Sequence, residues 1–365
     1  MSLSYLLIAS FFVALLAMLG GAPVCRRIAA KLRPAHVHSG TAVGVGGLVL
    51  GLALLLVSFY LTPMPESEVP LIGAITLVLA FNFFLWLRLP PRKARAWRNR
   101  LGPLLLIFAI FGFIGFPEEL IFDSTGAILT LGAAIVFALT PLALAALEDR
   151  MPVRSEMNAS YLVVPAMTGI VILGLKSDFS EGLAFRGLVD VLHVFLPALG
   201  AIAGCSFYTW RLPWRTSSQI CMGASGQMVM GLICVWEAIQ MATHSPRPGA
   251  TLVAILWMML PALFEVAREQ IRLRVAPTLD PAQVHPVLIK WLSQPSSSIA
   301  VYGMAVLMML LGLASFWTTS VSVWASGVAI PFVFGAYLLI GGWLGNNQPA
   351  MGTTPAGLKT KSVRR

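Results

Sequence analysis

The sequence predicts an all-α protein built almost entirely from membrane-spanning helices. Of its 365 residues, 58% are hydrophobic and only 11% are charged, whereas a soluble domain carries roughly 25% charged residues. The mean hydropathy is +0.83, and the apolar residues come in blocks of about 17 to 22, the length that crosses a hydrocarbon core of about 30 Å. These observations predict a polytopic membrane protein rather than a water-soluble domain.

Hydropathy, with charges, Pro and Gly taken as boundaries, predicts about eleven transmembrane helices. They cover residues 3–22, 42–62, 70–88, 102–117, 126–147, 158–175, 188–208, 225–243, 250–266, 299–317 and 322–343. The connections are too short to hold a soluble domain, so residues 1–343 are predicted to form one transmembrane helical domain. Residues 344–365 are polar and basic, which predicts a disordered cytoplasmic tail close to anionic lipid.

The cations predict the orientation of these helices. The chain has 25 Lys and Arg against 15 Asp and Glu, a formal net charge of +10. With the N-terminus outside, every Lys and Arg except Lys176, Arg186 and Arg247 falls on the inner side, as the positive-inside rule requires. The C-terminus is then cytoplasmic, in a bacterial inner membrane. The charge surplus therefore indicates topology and not a nucleic-acid partner.

Several inner segments have an unusual composition. The first carries His38 and then Gly46 and Gly47; its glycines also fit a helix-packing face, Gly47-x-x-x-Gly51. The second, 87–100, carries six cations that can hold anionic lipid headgroups or a lipid phosphate, at roughly 1 kcal/mol per basic residue. A plain topology anchor explains that segment equally well.

Three further inner segments complete the pattern. Residues 147–158 contain Glu148, Asp149 and Glu156, and residues 207–227 contain Trp210–Pro213 followed by the run MGASGQ at 222–227. The long loop 268–298 contains His285. That histidine is either a phosphate or uridine contact or an ordinary solvated side chain.

In this order and spacing the segments resemble the polyprenyl-phosphate N-acetylhexosamine-1-phosphate transferases. These enzymes, which form glycosyltransferase family 4 and include phospho-N-acetylmuramoyl-pentapeptide transferase, start the lipid intermediates of envelope polysaccharide biosynthesis. The resemblance covers roughly residues 5–343. It implies ten or eleven spans, an outer N-terminus and a cytoplasmic active site that joins a sugar 1-phosphate from a UDP-sugar to undecaprenyl phosphate with Mg²⁺.

The chain departs from this family where the family has its carboxylates. An Asp-Asp pair is expected at the end of the third span, where Phe84 and Leu85 stand. The Asp of the Met-Gly-Asp motif is Ala224, and the Ser of the same motif is Gln227. Since carboxylates hold the Mg²⁺ that offsets phosphate repulsion, the resemblance implies a degenerate enzyme. No cofactor is expected, or Mg²⁺ if the enzyme is active.

Two polar residues lie within predicted spans. An ionised Glu237 would cost about 2.5 to 3.5 kcal/mol at a span centre, so it faces the bundle interior, is protonated, or marks a transport path. His193, in the preceding span, is its most obvious possible partner. The four cysteines have neither CxxC nor CxxH spacing, so neither a disulfide framework nor a structural zinc site is predicted.

The sequence thus leaves three hypotheses open. The first is a catalytically degenerate protein with the transferase fold that binds a polyprenyl phosphate or scaffolds envelope or exopolysaccharide assembly proteins. The second is an active transferase that uses Glu148, Asp149 or Glu156 for Mg²⁺, with His285 as a further catalytic candidate. The third is a transporter or lipid-carrier translocase that uses Glu237 and His193. The candidate substrate contacts are His38, Gly46, Gly47, Arg88, Arg92, Arg95, Arg211, Arg215 and Gly223.

Overall fold

Helices make up the described structure of the chain. The computed structural model describes residues 3–32, 46–61, 69–89, 91–109, 160–176, 183–209, 223–245, 247–275, 294–318 and 323–346. Its helices are α1 Leu3–Leu32, α2 Gly46–Leu61, α3 Val69–Arg88, α4 Pro91–Phe108, α5 Ser160–Lys176, α6 Leu183–Thr209, α7 Gly223–His244, α8 Pro248–Val275, α9 Gln294–Trp317 and α10 Val323–Asn346. Over these ranges the predicted all-α class is confirmed.

Most of the predicted spans overlap one of these helices, and the helix that contains the start of the span 102–117 is longer than that span. Helix α4 begins at Pro91, eleven residues earlier, and includes the cations that were assigned to a connecting segment. Proline is favoured at the first helical position, and Ala, Arg and Lys are good helix formers. The predicted span 126–147 lies outside the described residues.

Helix α7 lies at the centre of the described bundle. It packs against α2, α3, α5, α6 and α8. All its residues from 226 to 239 are buried, Trp236 among them. A helix that is apolar all round needs neighbours on every side, which explains why five helices surround it.

Close contacts at two glycines show the direction of α6 relative to α1. On α6, a Cβ built on Gly200 would lie 3.1 Å from the backbone nitrogen of Phe11, and one on Gly204 would lie 3.1 Å from Cβ of Ala14. A step of four residues along α6 is thus matched by a similar step along α1, so the two helices run parallel. Small residues at such positions let helix backbones approach closely.

A second group of helices packs beside α7. Helix α9 packs against α5 and α8, and α10 packs against α8. On α8, the ring of Phe264 stacks against two residues of α10, Phe334 at 4.8 Å and Tyr337 at 5.6 Å between centroids. These rings form a smaller apolar cluster beside the main core.

The outer surface of the bundle is rich in large apolar side chains. Exposed examples occur on α1, α3, α4, α9 and α10: Ile8, Phe12, Leu16, Phe84, Leu104, Phe108, Leu307, Leu310, Phe332 and Leu339. Phe332 and Leu339 are 74% and 76% exposed. Within the described ranges, no helix combines enough length with enough apolar character to qualify as a membrane-crossing helix.

Candidate functional site

The site is built around a contact between two helix starts. A Cβ built on Gly47 would lie 2.8 Å from Cα of Gly226 and 2.5 Å from Oγ of Ser225. Gly47 is the second residue of α2, and Gly226 is the fourth residue of α7. Because the two helices begin together and pack against each other, they leave this contact in the same direction.

Helix α3 passes the contact in the opposite direction. The side-chain nitrogen of Asn82 lies 3.5 Å from Sδ of Met228, at the level of the Gly47 contact. One turn along α2 from Gly47, a Cβ on Gly51 would touch Leu79, which lies earlier on α3. Later residues of α2 therefore lie against earlier residues of α3, so the two helices are antiparallel. Helix α3 ends at the end of the bundle where α2 begins.

Four helix ends therefore meet at what we call the glycine end. It consists of the start of α2 at Gly46, the start of α7 at Gly223, the end of α3 at Arg88 and the start of α4 at Pro91. Gly223 has φ of 72°, a left-handed conformation that a residue with a Cβ adopts only with strain. The side chain of Arg88 is exposed.

The glycine end brings together several of the predicted substrate contacts. Gly46, Gly47, Arg88 and Gly223 lie there, and the backbone of α4 carries Arg92 and Arg95 from the same end. For Gly47 the structure supplies the packing explanation, since its missing side chain lets α2 touch the backbone of α7. The remaining candidates, His38, Glu148, Asp149, Glu156, Arg211, Arg215 and His285, lie outside the described residues.

A buried polar layer lies just inside the glycine end. Asn82 is buried and donates a hydrogen bond of 2.9 Å to the carbonyl of Val78. Gln227 is buried beside Met228, its neighbour in the chain. Sequence reasoning missed Asn82, although an amide inside the apolar run 77–87 was a visible signal.

Glu237 lies deeper in α7, ten residues beyond Gln227. Its side chain is only 1% exposed, so it faces the interior, one of the outcomes that the sequence left open. In the described part of the chain its Oε2 atom has no hydrogen-bond partner. His193 is on α6, which packs against α7, but its side chain is outside the described set.

The described residues contain no group of three or more His, Cys, Asp or Glu placed to hold a metal ion. The carboxylates that the sequence offers for Mg²⁺, in the segment 148–156, fall in a range that the structure leaves undescribed. Cys205 and Cys234, on α6 and α7, are buried free cysteines.

Comparison with known proteins adds no relative. No protein-family model matches the chain, and no curated protein matches its sequence.

Proposed function

We propose that the chain is a polytopic inner-membrane protein whose glycine end faces the cytoplasm and binds a polyprenyl phosphate. The single observation behind this proposal is the meeting of Gly46, Gly223 and Arg88, three predicted substrate contacts from separate segments of the chain, at one end of the bundle. Their convergence gives a lipid phosphate one place to bind.

The membrane location has separate support. Exposed large apolar side chains occur on the outer helices α1, α3, α4, α9 and α10 while the central helix is buried. Large apolar side chains exposed on this many helices are typical of a protein that meets a membrane or another apolar surface. The helix directions also agree with the predicted topology, in which α1, α3 and α6 run inward and α2 and α7 run outward.

Within this proposal the protein is a degenerate member of the transferase-like fold that holds its lipid for other envelope glycan-assembly proteins. The argument is electrostatic. A polyprenyl phosphate and a UDP-sugar bring several negative charges together, and a transferase offsets them with carboxylate-bound Mg²⁺. Phe84, Leu85 and Ala224 offer no carboxylate, whereas Arg88, with Arg92 and Arg95 of α4, suits a single lipid phosphate.

One assay tests the proposed activity. Purified protein in phosphatidylcholine nanodiscs is given undecaprenyl phosphate, a panel of UDP-N-acetylhexosamines and Mg²⁺, and both UMP release and lipid retention are measured. We expect lipid retention without UMP, and weaker retention in Arg88→Gln but not in the control Arg247→Gln, which changes a cation beyond the other end of α7. Metal-dependent UMP release that Asp149→Asn or Glu148→Gln abolishes would show an active transferase instead.

A labelling experiment tests the location. In a cysteine-free background, Lys93→Cys is expected to react with a membrane-impermeant maleimide only after cells are permeabilised, because α4 begins at the glycine end. Arg247→Cys is expected to react in intact cells. The reverse pattern would invert the proposed orientation, and release of the protein by alkaline carbonate would remove the membrane proposal.

A second candidate function is favoured by Glu237. A buried carboxyl group with an unpartnered oxygen inside a helical bundle is a default candidate for a proton or ion path. A transporter or lipid-carrier translocase would lose substrate flux in Glu237→Gln proteoliposomes while keeping polyprenyl phosphate retention. Unchanged flux in this variant would count against transport through Glu237.

A further inference from the structure

The outward face of α4 carries one continuous row of exposed side chains. Its members are Lys93, Trp97, Leu101, Leu104 and Phe108, and we call this row the α4 stripe. Their spacing of four, four, three and four residues places them on one face of the helix. From its first residue to its last, the stripe changes from a cation to an aromatic residue and then to purely apolar side chains.

The orientation of the stripe is set by the opposite face of the same helix. Gly102, Leu106 and Ala109 are buried there, and α4 packs against α3. Rotation of α4 about its axis would expose these buried residues. The stripe is therefore held outward by packing.

The segment of the chain that carries the stripe has cations but no acidic residues. From Val69 to Pro117 the chain contains no Asp or Glu. The cations of this region are Arg88, Arg92, Lys93, Arg95, Arg98 and Arg100. Arg88 and Lys93 have exposed side chains at the glycine end. An anionic group that approaches the exposed side chain of Lys93 thus meets positive charge.

The apolar part of the stripe has the length of an acyl chain in one leaflet. Trp97 and Phe108 are eleven residues apart, which is about 16 Å along a helix that rises ~1.5 Å per residue. Half of a hydrocarbon core of about 30 Å is ~15 Å. Trp97 stands at the junction of the charged and apolar parts, the place that Trp commonly takes at a membrane interface.

We propose that the α4 stripe is a binding site for an anionic membrane phospholipid. Its headgroup phosphate lies against Lys93, and an acyl chain runs along Leu101, Leu104 and Phe108. The proposal rests on the membrane location given above. It assigns a lipid to the outside of the bundle, a place different from the polyprenyl phosphate site among the helix ends.

Lipid retention tests this site directly. The full-length protein is released from nanodiscs that contain phosphatidylcholine and increasing phosphatidylglycerol, and bound lipids are counted by native mass spectrometry. Lys93→Gln is expected to lower phosphatidylglycerol retention about fivefold, the effect of one basic residue near an anionic surface. Leu104→Gln is expected to lower retention without changing any charge, and the control Arg247→Gln is expected to leave it unchanged.

Three results would overturn the inference. The first is unchanged phosphatidylglycerol retention in Lys93→Gln, and the second is an equal loss of retention in Arg247→Gln. The third is displacement of the lipid by millimolar inorganic phosphate, which would mean that the phosphate group alone is recognised. Flotation with neutral phosphatidylcholine vesicles separates this inference from the membrane proposal. A protein that floats but shows no preference for phosphatidylglycerol overturns the α4 site only, whereas one that does not float overturns the membrane location.

Discussion

Gly47 and Gly226 bring two helix backbones into direct contact. A Cβ on Gly47 would lie 2.8 Å from Cα of Gly226, so no side chain fits between α2 and α7 at this point. Four of the described helix ends meet around this contact, among them the start of α7 at Gly223, whose φ of 72° suits glycine. A substitution that pushes α2 and α7 apart at this contact would therefore also change the shape of the candidate site.

Gly47→Ala is expected to destabilise the protein by about 1–3 kcal/mol, the range for overpacking in a close-packed interior, because neither backbone can move aside alone. Gly303→Ala is the matched control, since a Cβ there would meet nothing within 4 Å. That variant is expected to be neutral or to gain up to about 1 kcal/mol from helix propensity. Thermal unfolding in detergent measures both, and equal stability of the two variants would contradict the close contact.

Gly312→Ala is expected to be more destabilising than Gly169→Ala, by about 1 kcal/mol within the range for overpacking. A Cβ on Gly312 would lie 2.5 Å from the backbone oxygen of Ala254, which is part of α8. A Cβ on Gly169 would meet the side chains of Met309 at 2.5 Å and Met258 at 2.8 Å. Methionine side chains are flexible and can repack. The two midpoints of thermal unfolding decide the order, and the reverse order would contradict this explanation.

Ser245 and Thr251 are expected to be energetically coupled where α7 passes into α8. Their hydroxyl oxygens are 2.6 Å apart, and Ser245 accepts a hydrogen bond of 3.1 Å from the backbone nitrogen of Arg247. Ser245→Ala is expected to lose about 0.5–2 kcal/mol, the range for a hydroxyl that satisfies backbone donors at a helix start.

A double-mutant cycle with Thr251→Val measures this coupling. A shared hydrogen bond gives an interaction energy of at least about 0.5 kcal/mol, whereas independent residues add within about 0.3–0.5 kcal/mol. Additive losses in the unfolding free energy would show that the two hydroxyls act separately.

Glu237→Met is expected to raise the free energy of unfolding by about 1–3 kcal/mol, the penalty for a buried polar group left without a partner. The opposite kind of substitution, Met241→Gln, places a polar group of similar size at another buried position of α7. This variant is expected to have a free energy of unfolding that is lower by a similar amount. Chemical or thermal unfolding compares the two. A less stable Glu237→Met would mean that the carboxyl group has a stabilising partner.

The sequence predicts the apolar helices well and the basic helix poorly. For α3 the prediction of 70–88 differs from the observed Val69–Arg88 by one residue, because a charge and a proline mark its end. For α4 hydropathy finds only the apolar part, since Arg92 to Arg100 form helix without being hydrophobic. The start of α4 is indicated by Pro91 and by the helix propensity of the residues that follow it. Hydropathy measures neither of these.

The candidate site was predicted in part. Gly46, Gly47, Arg88 and Gly223 were chosen from their segments, but only the folded chain shows that these segments meet. Asn82 was missed because a single amide in an apolar run does not reveal which helix it faces. Its contact with Met228 depends on α3 and α7 passing in opposite directions, a long-range relationship that no local pattern contains.

The central position of α7 has a consequence for how the protein is made. Among the described helices that pack against it, α2, α3, α5 and α6 precede it along the chain and α8 follows it. When α7 leaves the ribosome, most of the surface that will enclose Gln227 and Glu237 has already been synthesised. Chains fold from the N-terminus during synthesis. We therefore expect α7 to pack into a cleft that the preceding helices have already formed. Its polar side chains are then enclosed soon after they are synthesised.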